Sequence, residues 1–246
     1  MSAAARFRAL HRHRVADDPL VLPGPWDAAS ARVFERAGFP ALATPSAGIA
    51  ASLGYADGAT PAGEMFAAVA RIARSVEVPV SADVEDGYGL APKELVERLL
   101  EAGAVGCNLE DSAGGRLKEH RAHAEWLAAV REAAGDLLFV NARIDTFIHG
   151  VTDPDRAIER AAAYVAAGAD CVYPIAAPVE VLPLLRAGTS GPLNVLALPG
   201  AGPSPAELGG LGATRITYGH GLQQRAAEAL GEIAAGLPGR APERGR

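Results

Sequence analysis

The chain has 246 residues, of which 49% are hydrophobic and 21% are charged, and its formal net charge is −6. This length and composition predict a single soluble domain with a sizeable core, and the acidic balance argues against nucleic acid as a partner. No apolar run is long enough to cross a bilayer, and the N-terminus lacks the apolar core of a signal peptide. Cys107 and Cys171 both fall in apolar segments, so we expect reduced core cysteines and a cytoplasmic location.

Short apolar segments alternate with helical patterns along the chain. The predicted strands cover residues 20–24, 41–46, 78–85, 105–110, 138–144, 171–175, 194–197 and 215–218. The predicted helices that follow them cover residues 27–37, 61–74, 92–102, 120–134, 154–167, 179–186, 205–211 and 223–235. Another helix is expected before the first strand, and residues 47–57 are predicted to form a glycine-containing loop.

The predicted strands are apolar almost throughout, which indicates burial on both faces, as in a parallel sheet covered by helices. Eight strand–helix pairs in a chain of this length predict an α/β fold, a (β/α)₈ TIM-type barrel formed by residues 1–236. An open doubly wound sheet is the alternative. No G-x-G-x-x-G motif follows the first strand, which argues against the dinucleotide-binding form of that alternative. Residues 237–246 are rich in Pro, Gly and Arg and are predicted to be disordered.

The third predicted strand ends in two acidic residues, Asp83 and Glu85, around which the rest of the chain is organised. Side chains two residues apart in a strand project to the same side, so these carboxylates repel each other unless a cation lies between them. A hard divalent cation such as Mg²⁺ binds carboxylate oxygens and water, and it meets this requirement. An acidic loop exposed to solvent is the alternative interpretation.

Two further charged residues end the next two predicted strands, Glu110 the fourth and Arg143 the fifth. In a (β/α)₈ barrel the C-terminal strand ends meet at one rim, which carries the active site in characterised examples. A metal ion beside a guanidinium suits a substrate with two or more carboxylate or phosphonate groups. The cation polarises an enol oxygen, and the arginine binds a carboxylate through two hydrogen bonds. A purely structural ion pair between Glu110 and Arg143 is the alternative.

These residues belong to a series of segments that resembles the isocitrate lyase / phosphoenolpyruvate mutase superfamily, in the family's order, from about residue 20 to residue 220. The segments are residues 26–31 (WDAASA), 46–48 (SAG), 52–57 (SLGYAD), 79–89 (PVSADVEDGYG), 108–111 (NLED), 141–145 (NARID) and 167–170 (AGAD). The resemblance implies an α/β barrel that cleaves or forms C–C or P–C bonds through a pyruvate enolate, or an equivalent oxyanion, stabilised by Mg²⁺. It also implies a homo-oligomer that acts on a small carboxylate.

The resemblance also implies roles for individual residues. The implied ligands of the metal ion, Mg²⁺ or alternatively Mn²⁺, are Asp83, Glu85 and Glu110, in part through water. The implied substrate-binding residues are Ser46, Ala47 and Gly48 through their backbone, Arg143, and Trp26 in the pocket wall. The implied catalytic residues are Arg143, Asp57 and Glu110, with Asp57 near the metal ion.

The chain departs from the family pattern after the fourth strand and at the C-terminus. The lyases carry a Lys-Lys-Cys-Gly-type loop whose cysteine is a general acid/base, and the phosphonate enzymes carry a lysine there. Residues 111–120 contain no such motif, and Lys118 or His120 stands as a substitute. Ile175 stands where the lyases usually have a glutamate. The short C-terminus argues against exchange of the last helix between subunits.

Three functions are compatible with these observations. The first is a Mg²⁺-dependent lyase that acts on a small 2-hydroxy or 2-oxo polycarboxylate through an enolate, with cleavage or formation of a C–C bond. The second is a phosphonopyruvate-type mutase or hydrolase, or an oxaloacetate hydrolase or decarboxylase. The third is a barrel that binds a dicarboxylate without catalysis, since fold alone does not establish chemistry.

Overall fold

The computed structural model describes residues 2–12 and 18–238. Its strands are β1 (Leu20–Leu22), β2 (Leu42–Ala43), β3 (Val80–Asp83), β4 (Gly106–Glu110), β5 (Ser112–Ala113), β6 (Arg116–Leu117), β7 (Phe139–Ile144), β8 (Cys171–Pro174), β9 (Asn194–Leu196) and β10 (Arg215–Thr217). Its helices are α1 (Ala3–Leu10), α2 (Ala28–Arg36), α3 (Ser46–Leu53), α4 (Ala62–Ala73), α5 (Pro92–Glu101), α6 (His120–Ala134), α7 (Pro154–Ala166), α8 (Leu182–Gly188), α9 (Pro205–Gly210) and α10 (Gly221–Ala235). Short 3₁₀ helices cover Phe147–His149 and Val179–Val181.

Eight parallel strands form the barrel. The strands β2, β3, β4, β7 and β8 make one hydrogen-bonded ladder, and β9, β10 and β1 make another. A bridge between Val172 and Leu193 joins β8 to β9. The Ala43 amide donates to the Pro23 carbonyl at 3.1 Å, which joins β2 to the end of β1. The predicted (β/α)₈ TIM-type barrel is confirmed, and all eight of its strands were predicted, most of them somewhat longer than they are.

The main core lies between the barrel wall and the surrounding helices. Val69 of α4, Leu99 of α5 and Val130 of α6 are all fully buried in it. A second cluster lies at the N-terminal end of the barrel, where Phe7 of α1 is fully buried and packs with Phe139 of β7. Helix α1 therefore closes this end of the barrel, while the C-terminal end stays open.

Two segments differ from the predicted structure. Residues 46–53 form α3, whereas the sequence predicted a loop here, because Ser-Ala-Gly-Ile-Ala-Ala-Ser-Leu has no polar face and lacks the pattern of a surface helix. Residues 112–117 form a hairpin of β5 and β6. Gly114 and Gly115 form its turn with φ values of +54° and +75°, and a two-residue type I′ turn requires such left-handed values.

The C-terminal helix α10 contains no buried residue and is exposed from residue 224 onward. Residues 237 and 238 follow it, and residues 239–246, the rest of the predicted disordered tail, lie outside the described residues. Within residues 2–12 and 18–238, no helix combines the length and the hydropathy that crossing a membrane requires.

Candidate active site

A cavity of about 350 Å³ opens at the C-terminal ends of the barrel strands. Most of the residues predicted for the site line this cavity. They are Ser46, Ala47, Asp57, Asp83, Glu85, Glu110 and Arg143. Trp26 and Gly48 do not line it. Its volume is at the small end of the range for metabolite-binding sites, about 300–1,000 Å³.

The register of the parallel strands explains why the charged side chains meet. Glu110 of β4 lies opposite Arg143 of β7, which in turn lies opposite Tyr173 of β8. Asp83 of β3 lies opposite Asn108, two residues before Glu110 on β4. Because alternate residues of a strand face the same side, all of these side chains reach the cavity from neighbouring strands.

Arg143 is held by two carboxylates. Its Nη1 donates to Glu110 Oε1, and its Nε donates to Asp145 Oδ1 at 2.6 Å. Burial alone would lower the pKa of Arg143, but the charges of Asp145 and Glu110 outweigh it, and the net shift is upward. The ion pair that the sequence left as the structural alternative therefore exists, and it lies inside the same cavity as the other predicted site residues.

A hydrogen-bond network below the cavity fixes Asp145. Its amide donates to Asp111 Oδ1 at 2.8 Å, and the Ser112 hydroxyl donates to its carboxylate. Asp111 Oδ2 accepts hydrogen bonds from Arg160 Nη1 and the Tyr164 hydroxyl, both at 2.8 Å. Sequence reasoning missed this support, since Arg160 and Tyr164 lie on α7, far along the chain from Asp111. This network holds Asp145 in place, and Asp145 in turn orients Arg143.

The pKa values of the three predicted metal ligands are all raised, in each case first by burial. For Glu85 the pKa rises to about 7, with further contributions from the charges of Asp83 and Asp57. For Glu110 it rises to about 8, because repulsion by Asp83 adds to burial and Arg143 only partly opposes it. For Asp83 it also rises, although Arg143 lowers it. The cavity thus concentrates more carboxylate charge than Arg143 neutralises.

The donor set fits Mg²⁺ bound partly through water. Glu85 Oε1 is buried, and no hydrogen-bond partner reaches it among the described residues. Glu85 also has a φ of +53°, and such strain in a residue with a side chain is concentrated at functional sites. No three acidic, histidine or cysteine side chains in the described part of the chain form a ready-made metal cluster. Mg²⁺ usually takes one or two carboxylates and keeps several waters, so it does not require one.

The N-terminus of α3 forms the opposite wall of the cavity. The helix begins at Ser46, and Pro45 before it provides no side-chain cap. The first N–H groups of a helix lack partners within the helix and carry the positive end of its dipole, which favours binding of anions. The Ser46 hydroxyl donates to Asp83 Oδ2 at 3.0 Å. The Ser46 N–H points to the same carboxylate oxygen at 3.4 Å, so the start of α3 contacts the acidic group directly at the cavity wall.

Gly48 lies within α3 and Trp26 lies against that helix, and neither residue lines the cavity. A Cβ on Gly48 would lie 2.9 Å from Pro45 Cγ and 3.6 Å from Trp26 Cβ. Gly48 therefore leaves room for the Pro45 ring at the start of α3, whereas its distance to Trp26 is that of an ordinary contact. The Trp26 ring also packs against Phe34 at a centroid distance of 6.4 Å. Both residues support the position of Ser46, and their predicted contact with a substrate stays a prediction, since neither lines the cavity.

Lys118 and His120 lie outside the cavity. The Lys118 Nζ is 3.6 Å from Asp86 Oδ2 and 5.6 Å from the centroid of the Trp126 ring. His120 Nδ1 is 3.2 Å from Glu119 Oε1. The Lys118 Nζ also donates to the backbone carbonyls of Glu110 and Asp86, both at 3.4 Å, so it lies beside the end of β4 but outside the cavity. Neither side chain is therefore positioned as a substitute for the missing loop cysteine or lysine.

Several cavity residues were missed or given little weight. They are Tyr173, Ile175, Leu196, Leu198, Tyr218, His220 and Gln224. Most of them come from the ends of β8, β9 and β10. Burial raises the pKa of Tyr173 to about 12, so its hydroxyl stays protonated. The position of strand ends was the signal that could have found most of these residues, since they lie at or just after a predicted strand, whereas Gln224 falls in the last predicted helix.

Comparison with known proteins places this geometry in a family. A family model described as phosphoenolpyruvate phosphomutase matches residues 7–237. The chain belongs to the isocitrate lyase / phosphoenolpyruvate mutase superfamily. The resemblance expected from the sequence motifs is confirmed.

Relatives and solved structures of this superfamily match most of the chain. An uncharacterised protein of Mycobacterium tuberculosis is 34% identical over 215 residues, which are 87% of this chain and 81% of the relative. The 2-methylisocitrate lyase of Bacillus subtilis is 31% identical over 189 residues, which are 72% of this chain and 61% of that enzyme. The phosphoenolpyruvate phosphomutase structure from Streptomyces platensis subsp. rosaceus has a TM-score of 0.84 at 29% identity, with 97% of this chain and 92% of that chain covered. Superfamily members of these kinds are lyases and mutases that act on small carboxylates.

Proposed function

We propose that this superfamily member is a Mg²⁺-dependent lyase that acts on a small 2-hydroxy or 2-oxo polycarboxylate. It cleaves or forms a C–C bond through an enolate. The observation that carries this proposal is the single cavity in which Asp83, Glu85 and Glu110, with raised carboxyl pKa values, face Arg143 and the N-terminus of α3. The similarity to 2-methylisocitrate lyase supports the same class of reaction.

Asp83, Glu85 and Glu110 hold the cation in this proposal, in part through water. When bound, the cation stabilises the negative charge that develops on a substrate oxygen as the C–C bond changes. The raised pKa values of Glu85 and Glu110 describe the side chains without a cation, when mutual repulsion favours protonation. A cation would remove that repulsion and keep the carboxylates ionised.

Arg143 and α3 bind and orient the carboxylates of the substrate. The planar guanidinium is already held by Glu110 and Asp145, so little side-chain freedom is lost when a substrate carboxylate arrives. Asp57 is exposed at the open side of the cavity, and we assign to it the transfer of protons between the substrate and water.

A substrate panel followed by proton and phosphorus NMR tests the reaction. The panel contains isocitrate, methylisocitrate, alkylmalates, oxaloacetate and phosphonopyruvate, each with Mg²⁺ and then with EDTA. Release of pyruvate or glyoxylate that stops with EDTA is the expected result. Turnover of none of these compounds, together with Mg²⁺-dependent binding of oxalate, would instead identify a binding protein without catalysis.

Asp83→Asn tests the metal assignment. Loss of a predicted ligand is expected to lower turnover by more than about a hundredfold, since even residues that only support metal ligands contribute about 10–100-fold. Glu97→Gln is the matched control, because Glu97 is an exposed acid on α5 outside the cavity. Unchanged Mg²⁺ dependence in the Asp83 variant would contradict the proposal.

Phosphonate chemistry is the second candidate, supported by the phosphoenolpyruvate phosphomutase match. The same cavity would bind a phosphonate, but Lys118 lies outside it, which argues against this reading. Turnover of phosphonopyruvate without turnover of any polycarboxylate would favour it. Hydrolysis or decarboxylation of oxaloacetate is a close variant of the first proposal, and the same panel separates it.

We also propose that α10 packs against a second copy of the chain. Leu230 and Ile233 on this helix are 65% and 64% exposed, and Leu237 after it is 59% exposed. Leu230 and Ile233 are three residues apart, which places them on one side of the helix. Light scattering is expected to give a mass above that of a monomer, and Leu230→Glu with Ile233→Glu is expected to give a monomer. A monomeric wild-type protein would contradict the proposal.

A further inference from the structure

A second cavity of about 300 Å³ lies beside the candidate active site. All fourteen residues that line it are alanine, glycine, proline, valine or leucine, so no polar side chain faces it. Leu182 of α8, Val195 of β9, Ala197 just after β9, and Leu208 of α9 form its buried part. We call it the apolar pocket.

The two cavities meet at the end of β9, where Leu196 and Leu198 line both of them. On β8 and just beyond it, Ile175 lines the polar cavity, whereas Pro174 and Ala176 line the apolar pocket. Since successive residues of a strand face opposite sides, the polar cavity lies on the inner face of β8 and the apolar pocket on its outer face. They are therefore two sides of one stretch of the barrel wall.

That stretch of wall is weakly closed. Among the described residues, β8 and β9 pair only through the bridge of Val172 and Leu193, near their N-terminal ends. Two residues further on, Pro174 has no N–H to donate to a ladder. Ala176 then adopts a φ of +56°, a left-handed value that ends the extended chain. The pairing between these strands thus stops below the level at which the two cavities meet.

The chemistry of the apolar pocket restricts what it can hold. A charged or hydrogen-bonding group placed there would lose water and find no side chain to replace it. An aliphatic chain would instead be transferred from water to an apolar surface, which is favourable. Leu198 and Val179 at its edge are 59% and 37% exposed, so an aliphatic occupant would also cover them.

We propose that the apolar pocket binds an aliphatic chain of the substrate, which leaves the polar cavity between β8 and β9 and passes Leu196 and Leu198. The substrate class is then a 2-oxo or 2-hydroxy acid with an alkyl substituent of several carbons. This inference rests on the proposed function, because the polar cavity binds the carboxylate end. Ile175, on the polar side of the same wall, gives the chain an apolar surface to pass.

Titration calorimetry with Mg²⁺ and inhibitors of increasing length tests the proposal. Oxalate first establishes that the polar cavity binds a dicarboxylate. Pyruvate, 2-oxobutanoate and 2-oxohexanoate then differ only in the length of the aliphatic chain. Affinity is expected to rise about fourfold with each methylene that becomes buried, and so about sixtyfold from pyruvate to 2-oxohexanoate.

Two variants within the apolar pocket remove this gain in different ways. Ala177→Phe fills the pocket, and Val179→Asp places a charge at its partly exposed edge. Both are expected to make affinity independent of chain length. Ala187→Phe on α8 is the matched control, since Ala187 is exposed and lines neither cavity. Circular dichroism and thermal unfolding of each variant establish that it is folded, and Val179→Asp carries the test if Ala177→Phe does not fold.

The outcomes separate this inference from the proposed function. A length dependence that Ala177→Phe or Val179→Asp abolishes and Ala187→Phe retains would support the inference. Binding of oxalate and pyruvate with no increase for longer chains would overturn it and leave the lyase proposal intact. A length dependence that persists in both pocket variants would also overturn it. Absence of Mg²⁺-dependent oxalate binding would overturn the proposed function, and this inference with it.

Discussion

Two arginines are buried at opposite ends of the same barrel, and their surroundings differ. Arg143, near the C-terminal rim, is paired with Glu110 and Asp145. Arg215, at the start of β10, is 0% exposed, and no hydrogen-bond partner reaches its guanidinium nitrogens among the described residues. The rim therefore balances charge with charge, whereas no carboxylate among the described residues pairs with Arg215 at the closed end.

Aromatic rings take the place of a carboxylate at the closed end. The rings of Phe7 and Phe139 both lie 5.9 Å from the guanidinium carbon of Arg215, within the range of a cation–π interaction. Burial lowers the pKa of Arg215, whereas the neighbours of Arg143 raise its pKa. The comparison shows that burial alone does not mark a functional arginine. The role proposed for Arg143 is supported instead by its partners and by the cavity that it shares with Asp83 and Glu85.

Arg143→Met is expected to have the largest effect. It leaves Glu110 and Asp145 as buried carboxylates without their partner, which typically costs about 3–5 kcal/mol of unfolding free energy. It also removes the group proposed to bind the substrate carboxylate, so oxalate binding with Mg²⁺ should be lost. Urea unfolding and titration calorimetry measure the two effects. An unfolding free energy equal to that of the wild type would show that the ion pairs at the rim do not stabilise the fold.

A smaller effect is expected from Mg²⁺ on thermal unfolding. At a hundredfold excess over its Kd, a ligand adds about 2.7 kcal/mol, which corresponds to a rise in Tm of roughly 5–10 °C for a protein of this size. The rise should be greater at pH 8 than at pH 5. Glu85→Gln should reduce it, and Glu97→Gln should not, because Glu97 lies outside the cavity.

The pH dependence follows from the direction of the pKa shifts. The pKa values of Glu85 and Glu110 rise from 4.5 to about 7 and about 8 on folding. Without a cation, these groups stabilise the fold below pH 4.5, and the contribution is lost as the pH rises through about 7 to 8. A cation binds the ionised carboxylates and restores stability in that range. An equal rise in Tm at pH 5 and pH 8 would contradict the assignment of these carboxylates as ligands.

The sequence was sufficient to predict the charged part of the rim, because β3, β4 and β7 each carry a charged residue at or next to their last position. Asp83, Glu110 and Arg143 were found in this way, and the register of three adjacent strands brings them together. The helix α3 could not be recognised, since Ser46 to Leu53 is apolar on every face and carries no helical periodicity. Its N-terminus was expected to bind a carboxylate only through the family resemblance.

The remaining features of the structure depend on contacts between residues that are far apart in the sequence, which a local pattern does not predict. Asp111 meets Tyr164 across the barrel wall, and nothing in the residues beside either one indicates the other. Arg215 lies in a segment that was predicted to be a strand. Its burial against Phe7 of α1, far away in the sequence, could not be predicted from that pattern. The end of strand pairing beside Pro174 is equally hidden, because it depends on how β8 meets β9.

Arg215→Met is expected to have the smallest effect and gives the sharpest comparison with Arg143→Met. Methionine fills a similar apolar volume and removes a charge whose burial is costly, while two cation–π contacts of roughly 0.5–2 kcal/mol each are lost. These terms oppose each other, so unfolding free energy should stay within about 1 kcal/mol of the wild type. Because Arg215 lies outside the cavity, oxalate affinity and the Mg²⁺ shift should be retained. A loss of about 3 kcal/mol or more, comparable with that of Arg143→Met, would mean that the closed end depends on this charge as strongly as the rim depends on its own.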